Sequence, residues 1–257
     1  MRFKVLALLI VVGAFYNSSV EAQDKPLKVV ICAGQSNMLG KRCVVSDLPK
    51  ELQVTQKNLF FDGKNWLAIA PGKTEKKGFG PEISIAYELS KHFKEPVGII
   101  KHSVGGTNLH KQWSPQSSKS LYKTLLKKVK AAQQSKNIKI ISMVWMQGES
   151  DAKSKVMAES YQDNLALFIQ AARKDFESEG MLFLSGRINA PKPKFGFTDE
   201  VRKAQENCKM ANYGYIDCDT LEKVSDNLHY SAKGTVEMGQ KFAQAIIKFM
   251  NGKENTP

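Results

Sequence analysis

A chain of 257 residues is long enough to bury a substantial core and suits a single α/β domain. Its formal charge of +13 would favour polyanions, but the lysines are spread along the chain and no nucleic-acid-binding motif accompanies them, which argues against nucleic acid as a partner. No CxxC, HExxH or clustered His/Cys spacing occurs, so a metal centre is not expected.

In chain order, the first residues read MRFKVLALLIVVGAFYNSSVEA. Arg2 and Lys4 precede an apolar stretch from Val5 to Phe15, and Val20 and Ala22 are small residues placed for a cut. This pattern predicts a secretory signal peptide over 1–22, too short and wrongly flanked for a transmembrane helix. No second run of spanning length follows, so 23–257 is expected as one exported domain, secreted or periplasmic, without a membrane partner. Losing Arg2, Lys4 and Glu21 lowers the charge to +12. The only N-x-S/T sequon starts at Asn17 and leaves with the leader.

LKVVICAG (27–34) reads as a buried strand, followed by the turn AGQSNM with Ser36. Residues 40–79 lack periodicity and are expected as a long loop beside a site. GPEISIAYELSKHF (80–93) has helical spacing, and PVGIIKHS (96–103) is a second strand, leading into HSVGGTN with Gly105 and Gly106. In the lysine-rich stretch 118–136, Leu121, Leu125, Val129 and Ala132 keep an apolar face while Lys123, Lys127 and Lys130 fall on the other side, as on a solvated helix. IKIISMVWMQG (138–148) is the third strand and ends in MQGESD. Helix (158–176), strand (181–186), helix (198–210), strand (213–217) and helix (231–250) complete the alternation, with SDNLHYS before the last helix. Apolar strands alternating with amphipathic helices predict a parallel sheet covered on both faces, with ligands outside the carboxyl ends of the strands.

Read together, the strand ends supply Ser36, a double-glycine turn, Gln147 with Glu149 and Asp151, and Asp226 three residues before His229. Acyl transfer needs such a set: a hydroxyl, a base to take its proton, a carboxylate to orient the base, and donors aimed at an oxyanion. Taken singly, each has a plainer reading. Ser36, Gly105 and Gly106 are ordinary turn residues, Gln147 a backbone cap, Asp226 a helix start and His229 a surface histidine. His92 fits a helix end, while His102 and His110 flank the glycine turn and are runners-up to His229. The α/β-hydrolase elbow G-x-S-x-G is not matched, since Met38 stands where its second glycine would be.

The blocks AGQSNMLG, GPEISIA, SVGGT, WMQGESDA, VRKAQ and DNLHYSAKG resemble, in order and from about Val29 to Ile247, those of the SGNH-hydrolase-like carbohydrate esterases. That group holds acetylxylan esterases of carbohydrate esterase family six and sialate O-acetylesterase domains. The resemblance implies a three-layer α/β/α, flavodoxin-like fold and cofactor-free hydrolysis of O-acetyl esters on carbohydrate, acetylated xylan first and O-acetyl sialate second. It implies Ser36 as nucleophile, His229 as base and Asp226 as orienting acid, with Glu149 the alternative acid. The oxyanion hole would combine the Ser36 N–H, an N–H of the Gly105/Gly106 turn and the Gln147 amide, glutamine standing where the wider SGNH pattern has asparagine. A non-catalytic carbohydrate-binding protein on the same scaffold is the reading from another class. Trp66 and Trp113 are candidates to stack on a sugar ring or, equally, ordinary core or loop aromatics. Of Cys32, Cys43, Cys208 and Cys218, Cys32 is expected as a buried thiol, while export leaves three full pairings of the four open.

Overall fold

The computed structural model describes residues 25–54, 56–75 and 78–254, so the leader expected over 1–22 lies outside the described residues. Seven strands form one sheet: β1 Leu27–Gly34, β2 Leu59–Phe61, β3 Trp66–Ala68, β4 Gly98–Ser103, β5 Ile138–Met146, β6 Leu182–Arg187 and β7 Tyr213–Asp217. Their order is β3-β2-β4-β1-β5-β6-β7, parallel except for β3. The helices are α1 Ser36–Leu39, α2 Glu82–Phe93, α3 Leu121–Ser135, α4 Lys155–Glu159, α5 Tyr161–Asp175, α6 Thr198–Glu206 and α7 Ala232–Glu254. This is the expected α/β architecture.

β1 is central because six consecutive residues, Val29 to Gly34, are buried, as a strand covered on both faces must be. The alternation of side chains along β5 shows the two layers. Trp145 packs against Phe168 of α5 with ring centroids 4.6 Å apart, whereas the next residue, Met146, reaches the Gly186 backbone near Phe242 of α7. On the first side α3 meets α5 through Tyr122 and Phe168 (ring centroids 5.6 Å apart), and on the second α2 packs along α7.

Two expectations need correction. The 40–79 stretch contains the β2–β3 hairpin and two single turns of 3-10 helix, Val45–Asp47 and Lys50–Leu52. Asp62 closes the hairpin by accepting from the N–H groups of Lys64 (2.7 Å) and Asn65 (2.8 Å). The helix expected over 158–176 is two helices, α4 and α5, broken at Ser160, whose hydroxyl bonds back to the Val156 carbonyl at 2.9 Å. The four cysteines are all free and buried, so none of the possible pairings is formed.

Along the chain, β4 is laid on one side of β1 and β5 on the other. Their carboxyl ends therefore border a crevice at the point where the chain changes direction across the sheet. Gly34 makes the approach possible: its φ is +147°, and a Cβ there would lie 2.1 Å from the Met146 carbonyl oxygen.

Candidate active site

Beyond β1, Gln35 donates its N–H to the Met146 carbonyl (2.9 Å) and the chain turns at once into α1. Ser36 is thus the first residue of a helix, where a backbone N–H has no intrahelical acceptor. Beneath α1, the buried pair Lys101–Glu82 (2.9 Å) fixes its far end, since the Lys101 ammonium also donates to the Leu39 carbonyl at 3.0 Å. Glu82 in turn accepts from the Thr74 hydroxyl (2.6 Å) and the Gly80 N–H (3.0 Å).

Ser36, His229 and Asp226 are in line. The Ser36 Oγ lies 3.1 Å from His229 Nε2, and His229 Nδ1 lies 2.7 Å from Asp226 Oδ2. The other Asp226 oxygen accepts from the backbone N–H groups of Leu228 (2.9 Å) and His229 (2.8 Å). Burial works to raise this carboxyl, but the His229 ring and the two backbone donors outweigh it and lower it to about 2. Because one oxygen holds the loop and the other the ring, the three-residue spacing of Asp226 and His229 fixes the tautomer that leaves Nε2 free to accept from Ser36.

Glu149 has a different partner. It is 1% exposed, its Oε1 accepts from the Asn37 side-chain amide at 2.7 Å, and Oε2 has no hydrogen-bond partner. Burial pushes its carboxyl above the usual carboxylate range.

The pocket in front of Ser36 has a volume of about 290 Å³ and is lined by Gln35, Gly105, Gly106, Phe195 and His229 among others. A Cβ built on Gly105 would stand 3.8 Å from the Ser36 Cβ, and Gly106 adopts φ +72°, so the turn brings bare backbone up to the serine. A larger cleft of about 890 Å³, at the opposite end of the sheet beside Ile138 and Met181, contains none of the candidate residues.

Gln147 is the main correction. It is fully buried and does not line the pocket. Its amide nitrogen donates to Asp151 Oδ2 (2.6 Å) and to the Thr107 carbonyl (2.9 Å), its two short contacts, with Gln35 Oε1 a longer third at 3.4 Å. It therefore holds the glycine turn from below. Asp151 ties down the next stretch, accepting from the N–H groups of Leu109 (2.9 Å) and His110 (3.0 Å). Gln205, in the VRKAQ block, secures the Gln147 backbone carbonyl at 3.1 Å. The glutamine that lines the pocket is Gln35, whose Oε1 accepts from the Ser150 N–H and from the Gln147 amide, both at 3.4 Å.

The stacking candidates also move. Trp113 is fully buried, donates to the Thr107 hydroxyl at 2.9 Å and packs edge-on to Trp145. Trp66 sits on the edge strand β3 against Phe61. Neither lines the pocket. Phe195 does, with the ammonium groups of Lys153 and Lys194 at 5.4 and 5.7 Å from its ring. Gln35, Asn37 and Asp151 all lay within the quoted motifs AGQSNM and QGESD, so their residue types were visible but their partners were not. Among the described residues no group of three or more His, Cys, Asp or Glu side chains is arranged to hold a metal ion.

The family model for "carbohydrate esterase, sialic acid-specific acetylesterase" matches residues 26–248. A curated relative, the "Probable carbohydrate esterase At4g34215" of Arabidopsis thaliana, is 26% identical over 249 residues, covering 89% of this chain and 93% of that protein. The solved structure of the Arabidopsis thaliana protein AT4G34215 superposes with a TM-score of 0.77 at 24% identity, over 87% of this chain and 99% of that one. NanS gives 0.67 at 16% identity, covering 88% of this chain and 98% of that one. XAC1771, a carbohydrate acetylesterase from Xanthomonas citri, also gives 0.67, at 18% identity, covering 87% of this chain but 56% of that one. These structural likenesses show the α/β fold, and the match over 26–248 shows that the chain belongs to the carbohydrate esterase, sialic acid-specific acetylesterase family and is a carboxylic ester hydrolase of the carbohydrate-acetylesterase kind.

Proposed function

We propose that the chain removes O-acetyl groups from carbohydrate by a serine mechanism, and the observation that carries this is the line Ser36 Oγ, His229, Asp226 at 3.1 and 2.7 Å. His229 takes the Ser36 proton as Oγ attacks the acetyl carbonyl. The tetrahedral oxyanion is held by the N–H of Ser36, an N–H of the Gly105/Gly106 turn and the Gln35 amide. Collapse expels the sugar alkoxide, which His229 protonates. Water, activated by the same imidazole, then releases acetate and restores the serine. Asp226 is the orienting acid, because it and not Glu149 bonds to the imidazole.

Acetylated xylan is the first substrate to test. A second reading, an acetylated acidic sugar such as O-acetyl sialate, is favoured by the pocket rim. There Lys41, Lys153 and Lys194 are exposed, and no carboxylate joins them in the lining. Export of the domain after cleavage near Ala22 completes the proposal.

Acetate release from acetylated xylan and from O-acetyl sialate, by wild type and Ser36→Ala, tests the activity. Release by wild type alone, greater on the sialate and falling with salt, supports the acidic-sugar reading. Release from neither substrate, with a folded protein, supports the binding-protein alternative.

A further inference from the structure

The QSNM block holds a buried side chain that the chemistry above leaves unused. Asn37 follows the nucleophile and is 3% exposed. Its amide nitrogen donates to Glu149 Oε1 (2.7 Å) and to the Leu228 carbonyl (3.2 Å), and its Oδ1 accepts from the Tyr230 N–H (3.3 Å). Leu228 and Tyr230 are the residues on either side of His229. One side chain on the nucleophile's helix therefore grips the base's loop at both peptide groups that flank the base.

Asp226 cannot supply this link. It belongs to the same loop as His229 and fixes the ring within the loop, not the loop against α1. Ser36 and His229 are 193 residues apart in sequence, and β7 and α7, which bracket the loop, are not the elements that carry the serine. Glu149, three residues past the end of β5, accepts from the Asn37 amide and so holds it in the rotation that offers its N–H and its oxygen to these two backbone groups.

We infer that Asn37 is a positioning residue for the esterase reaction, clipping the His229 loop to the Ser36 helix, with Glu149 as its anchor. The inference rests on the serine mechanism proposed above. Reacting groups lose on the order of 100-fold in rate when displaced by about 1 Å. Turnover should accordingly depend on the clip while substrate binding, made by other residues, does not.

The test measures kcat and KM on a small aryl acetate, thermal unfolding, and the downfield proton resonance of His229 Nδ1. Asn37→Ala should lower kcat about 100-fold with KM within about threefold of wild type, and should broaden or shift the resonance. Asn37→Asp, of the same size, keeps the oxygen for Tyr230 but opposes Glu149 and the Leu228 carbonyl with a second oxygen, and should show the same kcat loss without a cavity. Glu149→Leu should match Asn37→Ala, whereas Glu149→Gln retains an acceptor oxygen and should recover kcat to within about tenfold of wild type. Variants that melt earlier but keep wild-type kcat and resonance would reduce Asn37 to a packing residue and overturn the inference. So would a Glu149→Gln variant as inactive as Glu149→Leu. Were wild type itself inert on every acetate, the serine mechanism would fail first, and the resonance in wild type against Asn37→Asp would still decide whether the clip sets the His229 geometry.

Discussion

Asp151→Asn is the perturbation that best separates a buried support from a pocket-facing amide. In the wild type, Oδ2 accepts from Gln147 (2.6 Å) and Leu109 (2.9 Å), and Oδ1 from His110 (3.0 Å) and Leu109 (3.1 Å). Asparagine keeps the shape but replaces one oxygen by an NH2 group, and on either side that group meets a donor. One native donor loses its acceptor and one new buried donor gains none, each at about 1–3 kcal/mol, so a loss of about 3 kcal/mol is expected. At roughly 2–4 °C per kcal/mol for a chain of this size, the Tm should fall by about 6–12 °C. The glycine turn, loosened directly at His110 or indirectly through Gln147, which holds the Thr107 carbonyl, should also lose catalytic alignment. Thermal unfolding followed by circular dichroism, with kcat measured well below the transition, checks both. A variant that melts within about a degree of wild type would refute the reasoning. Gln147 would then not be tied to Asp151, and one of its N–H bonds would be available to the pocket.

Three more outcomes follow from the geometry. Gln35→Ala should lower kcat about 10²–10³-fold with a small change in Tm, as loss of one oxyanion donor does, and wild-type turnover would remove Gln35 from that role. Asp226→Asn should lower kcat by about 10⁴-fold by releasing the His229 tautomer, while a loss under tenfold in steady-state assays would show that Asp226 does not orient the base. His102 is pushed down to about 4 from an ordinary 6.5, first by burial and then by the neighbouring Lys128 ammonium. The unfolded chain therefore binds a proton below about pH 6.5 that the native state refuses until about 4, and stability should fall across that window by at most about 3 kcal/mol. Tm against pH for wild type and His102→Phe tests this, and parallel curves would count against it.

What could be read from the sequence was what depends on neighbours in the chain. The run 29–34 is apolar without alternation, and its short length and β-branched residues point to a strand buried on both faces, with the turn after it placing Ser36. Asp226 and His229 are close enough in sequence for one carboxylate to reach both the loop and the ring, so their pairing was visible in DNLH. Gln147 misled because its residue type suits an oxyanion hole, while the acceptors that claim it, Asp151 and the Thr107 carbonyl, are brought there by folding. The same holds for Trp113, an aromatic beside a site loop whose hydroxyl partner and ring neighbours lie in the core. The β2–β3 hairpin leaves one local mark in the sequence: Asp62-Gly63 between Phe61 and Trp66 is a turn dipeptide flanked by aromatic residues. Its three-residue strands are too short to show alternation.

The central position of β1 also governs how the molecule must assemble. Val29 pairs with Gly98 on one side and with Ile140 on the other, so the strand made first acquires neighbours only after long stretches of later chain have been synthesised. Pairings this distant fold slowly, and until they form, an apolar segment with two open edges is exposed to other chains. The serine lies at the end of that same segment and meets its histidine only when a loop 193 residues away is seated. On the serine mechanism proposed above, partly folded chains are vulnerable to aggregation yet chemically silent, and esterase activity reports the seating of the loop after β7 against the end of β1 rather than the formation of β1 alone.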